Sequence, residues 1–166
     1  SDQVLTARVL KLANSSYYGF QQRVGTVSVA LVVLGFQAIK DLVLAASVVH
    51  HFGKTVNDPS FDAKAFWSHA VAVGAASRHL SRLLRVGAPG EAFTAGILHD
   101  IGQVVLREYH PESFDEAIRM HRAEGIPLHE AEIAVLGAGH PQVGGWLCRR
   151  WNLPERICAA VEGHHG

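Results

Sequence analysis

At 166 residues the chain has the length of one domain, or of one domain with a small subdomain, and can bury roughly 70% of its unfolded surface. Apolar residues make up 48% of it and charged residues 18%, a composition that excludes a disordered segment and supplies an extensive core. Fifteen basic residues balance fifteen acidic ones, which argues against a nucleic-acid partner and against an acidic membrane surface.

In chain order, Val4, Leu5, Val9, Leu10 and Leu12 predict a helix that starts almost at Ser1, as if cut from a longer chain. Asn14-Ser15-Ser16-Tyr17-Tyr18-Gly19 ends it, and the sequon within that run reads as a polar helix end. Thr26 or Ser28 caps a second short element running to Leu34, whose β-branched content leaves helix and strand both open. Phe36 to Phe52 continues as helix. The apolar run Val29 to Val49 is broken by Gly35, Gln37, Lys40 and Asp41, whereas a membrane-spanning helix needs about 20 nearly continuous apolar residues. Asn57-Asp58-Pro59-Ser60 is a loop and a subdomain boundary, which gives an N-terminal helical subdomain over residues 1–56 and a helical core over 57–166.

The core opens with the longest helical pattern, Phe61 to Leu84, with an apolar stripe of Phe66, Ala70, Val73, Ala76, Leu80 and Leu83 or Leu84; His69 falls on that stripe. Gly87-Ala88-Pro89-Gly90 breaks the chain, and Glu91 begins a helix carrying the doublet His99-Asp100. Glu112 to Glu124 and Pro127 to Leu136 are amphipathic helices, and Gly137-Ala138-Gly139 is a loop. His140 then stands before Pro141 at the mouth of a helix reading Val143, Trp146, Leu147 and Trp151. The last helix follows Pro154, and its stripe of Ile157, Ala160 and Val161 points on to His164. With no repeat, no phosphate-cradling glycine loop and no period-2 strand set, the chain reads as an all-α bundle. Cys148 and Cys158 lie ten apart without a Cys-x-x-Cys, a pattern that excludes a zinc finger, opposes a disulfide framework and favours a reducing, cytoplasmic setting.

Eleven histidines are the unusual count, and six residues stand out: His69, the doublet His99-Asp100, His140 and the pair His164-His165. Imidazoles with one carboxylate suit Zn, Mn, Fe or Ni better than Ca or Mg. Adjacent helix residues project about 100° apart, so His99 and Asp100 would straddle a metal seated between helices. Gly96 and Gly102 on either side would let a neighbouring helix or a ligand come close. Singly, His69 reads as a hydrogen-bonded core histidine and His140 as a helix cap as readily as either reads as a ligand. His165, one residue past the stripe, faces solvent or backs another ligand. Together they read as an ancestral metal site of His69, His99, Asp100, His140 and His164, with retention of the metal a separate question.

The order His69, His99-Asp100, His140 in Gly139-His140-Pro141-Gln142-Val143-Gly144, then His164-His165, resembles the HD superfamily of metal-dependent phosphohydrolases. More closely it resembles the HDOD domain, the HD-related output domain of bacterial signalling proteins. The residues that carry this are Leu5-Thr6-Ala7-Arg8-Val9-Leu10-Lys11-Leu12-Ala13-Asn14-Ser15, Leu34-Gly35, Trp67-Ser68-His69, Gly96-Ile97-Leu98-His99-Asp100-Ile101-Gly102 and Trp151-Asn152-Leu153-Pro154. The resemblance implies a helical bundle of HD type with an N-terminal helical subdomain, often placed behind a receiver or beside cyclic-di-GMP turnover domains. It also implies a regulatory role, such as response-regulator output, exercised on other signalling domains or proteins. Three departures from the active enzymes point away from catalysis. The final aspartate ligand of those enzymes is absent or lies beyond Gly166. Gln103 stands where HD-GYP phosphodiesterases carry a lysine, and Gly166 follows His165 where they carry a glutamate. The alternative implied is a metal-dependent phosphohydrolase or phosphodiesterase acting on a nucleotide or cyclic dinucleotide. Arg78, Arg82 and Arg85, with the Arg149-Arg150 pair, read as solvated faces rather than as a nucleic-acid surface.

Overall fold

The structure is a computed structural model that describes residues 61–166. The expected N-terminal subdomain, its boundary loop and the helix-or-strand question at 26–34 lie outside the described residues. Seven helices follow one another within them: α1 (Ala63–Leu84), α2 (Pro89–Leu98), α3 (Ile101–Tyr109), α4 (Pro111–Glu124), α5 (Leu128–Leu136), α6 (His140–Arg150) and α7 (Glu155–Glu162). No strand occurs among the described residues, and no helix there is long and apolar enough to cross a membrane.

Local chemistry sets these boundaries. Asp62 starts α1 by accepting the Ala65 N–H at 2.8 Å, which satisfies one of the unpaired donors of a first turn. Pro89 and Pro111 open α2 and α4, where a missing N–H costs nothing. Gly125 and Gly137 close α4 and α5 in the left-handed region, at φ 71° and 79°. Before α6, the Gln142 side chain reaches back to accept the Gly139 N–H at 3.1 Å. Helix α2 starts two residues before the expected Glu91, because Pro89 is itself a good first residue.

Helix α1 packs along α2, α6 lies against both α3 and α7, α7 also meets α2, and α4 pairs with α5. Where α2, α3, α6 and α7 meet, Leu98, Ile101, Val104, Cys148 and Val161 are buried completely or nearly so. Each large aliphatic side chain there contributes roughly 1.5–3 kcal/mol. Two glycines allow the close approaches. A Cβ on Gly96 would stand 2.7 Å from Gly74 Cα in α1, and a Cβ on Gly102 would overlap the His140 carbonyl at the head of α6.

The α1 stripe differs from expectation. The residues buried on α1 are Ala70, Gly74 and Ser81, while Ala76, Leu80, Leu83 and Leu84 are exposed, Leu83 to 68%. The tight Gly74–Gly96 crossing leaves room on that face only for small side chains. His69 is correspondingly exposed rather than held in a core. The doublet differs too: His99 and Asp100 form a turn between α2 and α3, not part of a continuous helix. Asp100, at φ −95° and ψ 5°, leaves helical geometry and starts a new helix axis, so that both side chains face one site.

Candidate metal centre

Four parts of the fold converge on Asp100. His69 comes from α1, His99 from the α2–α3 turn, His140 from the first position of α6, and His164 with His165 from the residues after α7. The two oxygens of Asp100 face different partners. Oδ2 lies 3.1 Å from His99 Nε2 and 3.7 Å from His69 Nε2. Oδ1 lies 3.3 Å from His140 Nε2 and 3.6 Å from His164 Nε2. His165 stands further out and is exposed, with its Nε2 3.2 Å from His140 Nε2. All six residues singled out in the sequence are thus brought together.

The far nitrogens decide what the near ones present. His99 Nδ1 is 2.8 Å from the Gly96 carbonyl and His164 Nδ1 is 2.7 Å from the Val161 carbonyl. A carbonyl only accepts, so both Nδ1 atoms carry hydrogen, which leaves the Nε2 of each ring facing Asp100, as a lone pair or as a second N–H. His140 follows suit, donating Nδ1–H to Glu132 Oε2 at 2.6 Å. Lone pairs aimed at a carboxylate repel it unless positive charge lies among them, either as protons on Nε2 or as a metal ion.

The metal-free electrostatics show that demand for charge. Burial opposes ionisation of Asp100, yet the imidazoles of His140, His164 and His99 hold its carboxyl far below the usual carboxylate range. Burial would lower His140, but Asp100 and Glu132 outweigh it and raise the imidazole to about 9. His99 is raised as well, Asp100 overcoming burial, whereas His165 is lowered by burial and by the neighbouring His164 and His140.

These residues fit a divalent transition metal. The donor atoms of His69, His99 and Asp100 lie within 4.8 Å of one another, as do those of His140, His164 and His165. Ligands at 2.0–2.2 Å from one ion stand at most roughly 4.4 Å apart, so small side-chain adjustments close either group. His164 Nε2 is buried and has no hydrogen-bond partner, the state of a donor shaped for an ion. Nitrogen-rich sets with one carboxylate suit Zn, Mn, Fe or Ni.

Sequence reading missed Glu132 and His129. Glu132 is fully buried and accepts both the backbone N–H and the ring N–H of His140. Its one signal was an isolated acid in the apolar run Ala131-Glu132-Ile133-Ala134-Val135-Leu136. His129 stacks on His165, ring centroids 4.3 Å apart and planes within 14°. Nothing in its local sequence announces that contact, which joins residues 36 apart.

The HDOD domain family model matches residues 1–166. Among solved structures the chain is similar to an HDOD domain protein of unknown function from Geobacter sulfurreducens, at 29% identity and a TM-score of 0.87 over 99% of this chain and 54% of that one. It is similar to a proposed phosphohydrolase from Shewanella amazonensis SB2B, at 32% identity and a TM-score of 0.82 over 97% of this chain and 56% of the other. It is also similar to a proposed signal transduction protein from Marinobacter aquaeolei VT8, at 26% identity and a TM-score of 0.80 over 97% and 36%. The chain therefore spans little more than half, or less, of the proteins it matches. By sequence and helical architecture, the chain belongs to the HDOD domain family.

Proposed function

We propose that this chain is a regulatory output domain of a bacterial signalling protein, cytoplasmic, non-catalytic, and acting through contacts with other signalling domains or proteins. Its fold is organised round a divalent transition metal held by His69, His99, Asp100, His140 and His164, with His165 beside them. The observation that carries the reading is the surroundings of Asp100: the groups ranged about the carboxylate are imidazoles, and the residue three further on is the neutral Gln103. A phosphate substrate needs cationic partners for its oxygens, and a glutamine amide supplies none of that charge. Two free, fully buried cysteines favour the reducing setting.

A second reading, hydrolysis of a nucleotide or cyclic dinucleotide, is favoured by the oriented Nε2 donors and by the similarity to the Shewanella protein. When bound, a metal would supply Lewis acidity to a phosphoryl oxygen. This chain's own part would be to hold that ion through the five ligands and to keep their tautomers fixed. The test is purified protein assayed for transition-metal content and for hydrolysis of cyclic-di-GMP and of a chromogenic phosphodiester. Bound metal without turnover is expected. Turnover that disappears in Asp100→Ala would overturn the non-catalytic reading.

A further inference from the structure

Among the imidazoles at this site, His140 is held differently from its neighbours. His99 and His164 give Nδ1–H to neutral backbone carbonyls, whereas His140 gives it to a carboxylate. That carboxylate, Glu132, stands in mid-α5 with none of its surface exposed, although Ile133 and Ala134 beside it are open to solvent. Its Oε2 accepts two hydrogen bonds of 2.6 Å, one from the His140 backbone N–H at the head of α6 and one from the ring. Its Oε1 is buried with no hydrogen-bond partner.

Such a carboxylate is expensive to bury. Both of its hydrogen bonds go to one residue, so the compensation must come through His140. Holding backbone and ring together fixes the ring's rotation and places its hydrogen on Nδ1. Nε2 is left directed at Asp100 Oδ1, 3.3 Å away. The negative charge behind the ring also makes Nε2 a stronger donor than that of a histidine anchored on a carbonyl.

We infer that Glu132 is a positioning residue that commits His140 to bind a cation through Nε2 and makes it the anchoring ligand of the site. The inference rests on the metal reading of the site, and the experiment separates the two. Glu132→Gln keeps the shape and removes the charge; Glu130→Gln, at an exposed acid on the same helix, is the control. Zn²⁺ affinity is measured by competition with a chromophoric chelator, and the His140 tautomer by long-range ¹⁵N–¹H NMR on metal-free protein at pH 10.

Expected are a loss of roughly 10- to 100-fold in Zn²⁺ affinity for Glu132→Gln, no change for Glu130→Gln, and a wild-type His140 ring protonated on Nδ1 that shifts toward Nε2–H in Glu132→Gln. Affinity within twofold of wild type with the tautomer unmoved, in a variant of native circular dichroism, overturns the inference. If the wild type binds no Zn²⁺, the metal reading fails while the tautomer comparison still judges Glu132. Should Glu132→Gln not fold, the wild type alone decides, because an Nε2–H ring there contradicts the assignment.

Discussion

Asp100 is where single residues matter most, since its two oxygens serve two pairs of imidazoles from four separate parts of the chain. Its removal should leave several mutually facing lone pairs with no anion to gather a cation. Asp100→Ala is expected to weaken Zn²⁺ binding by more than the roughly 10- to 100-fold that follows loss of a ligand's hydrogen-bond partner, read by chelator competition. The raised pKa of His140 gives a pH dependence with a definite sign. Below about 9 a proton occupies the metal-free imidazole, and a metal must displace it. Apparent metal affinity should therefore climb from pH 7 to pH 9, by at most about tenfold per unit for that proton, and flatten above. For folding without metal the sign is opposite. A raised pKa contributes stability that is complete below the unfolded value of 6.5 and is lost as pH rises through about 9. Urea denaturation of chelator-treated protein at pH 6 and pH 9.5 measures it.

At the level of elements, the α3–α6 contact carries the site, because His140 is the first residue of α6 and its backbone rests on Gly102 of α3. A methyl group at Gly102 has nowhere to go except into the His140 carbonyl. Gly102→Ala is expected to cost about 1–3 kcal/mol by overpacking and to lower metal affinity as well, since α6 must retreat with its ligand. Gly125→Ala makes the contrast. Nothing lies within 4 Å of its Cβ, so only the left-handed backbone at φ 71° is strained, and the loss should be about 1 kcal/mol with metal affinity unchanged. Urea midpoints together with chelator titrations separate a lost site from a lost helix cap.

For the molecule as a whole, a metal that ties α1, the α2–α3 turn, α6 and the residues after α7 together acts on global stability. Zn²⁺ at 100 times its Kd should stabilise by about 2.7 kcal/mol, which for a chain of this size raises Tm by roughly 5–10 °C. Calorimetry with and without chelator checks this, and an unchanged Tm would detach the site from folding. The thiols report the same event. Cys148 and Cys158 are both fully buried and unbridged, and burial, with Cys158 nearby, pushes the Cys148 thiol up to about 12. A thiol reagent should label Cys148 only at the rate of unfolding, slower with Zn²⁺ present.

The sequence by itself determined the helical class of the core, most helix ends after residue 60, and Asp100 with the five histidines grouped near it. Those signals are local: apolar spacing, Pro and Gly at helix ends, and imidazoles in a spaced order. Only the tertiary structure decided that the doublet sits in a turn, that α1 buries Ala70, Gly74 and Ser81 rather than its leucines, and that Glu132 belongs to the site. Each depends on how closely two helices approach, a distance set by side chains far apart in the chain. Glu132 and His140 are eight residues apart on separate helices, and only the packing of α5 and α6 makes one the anchor of the other.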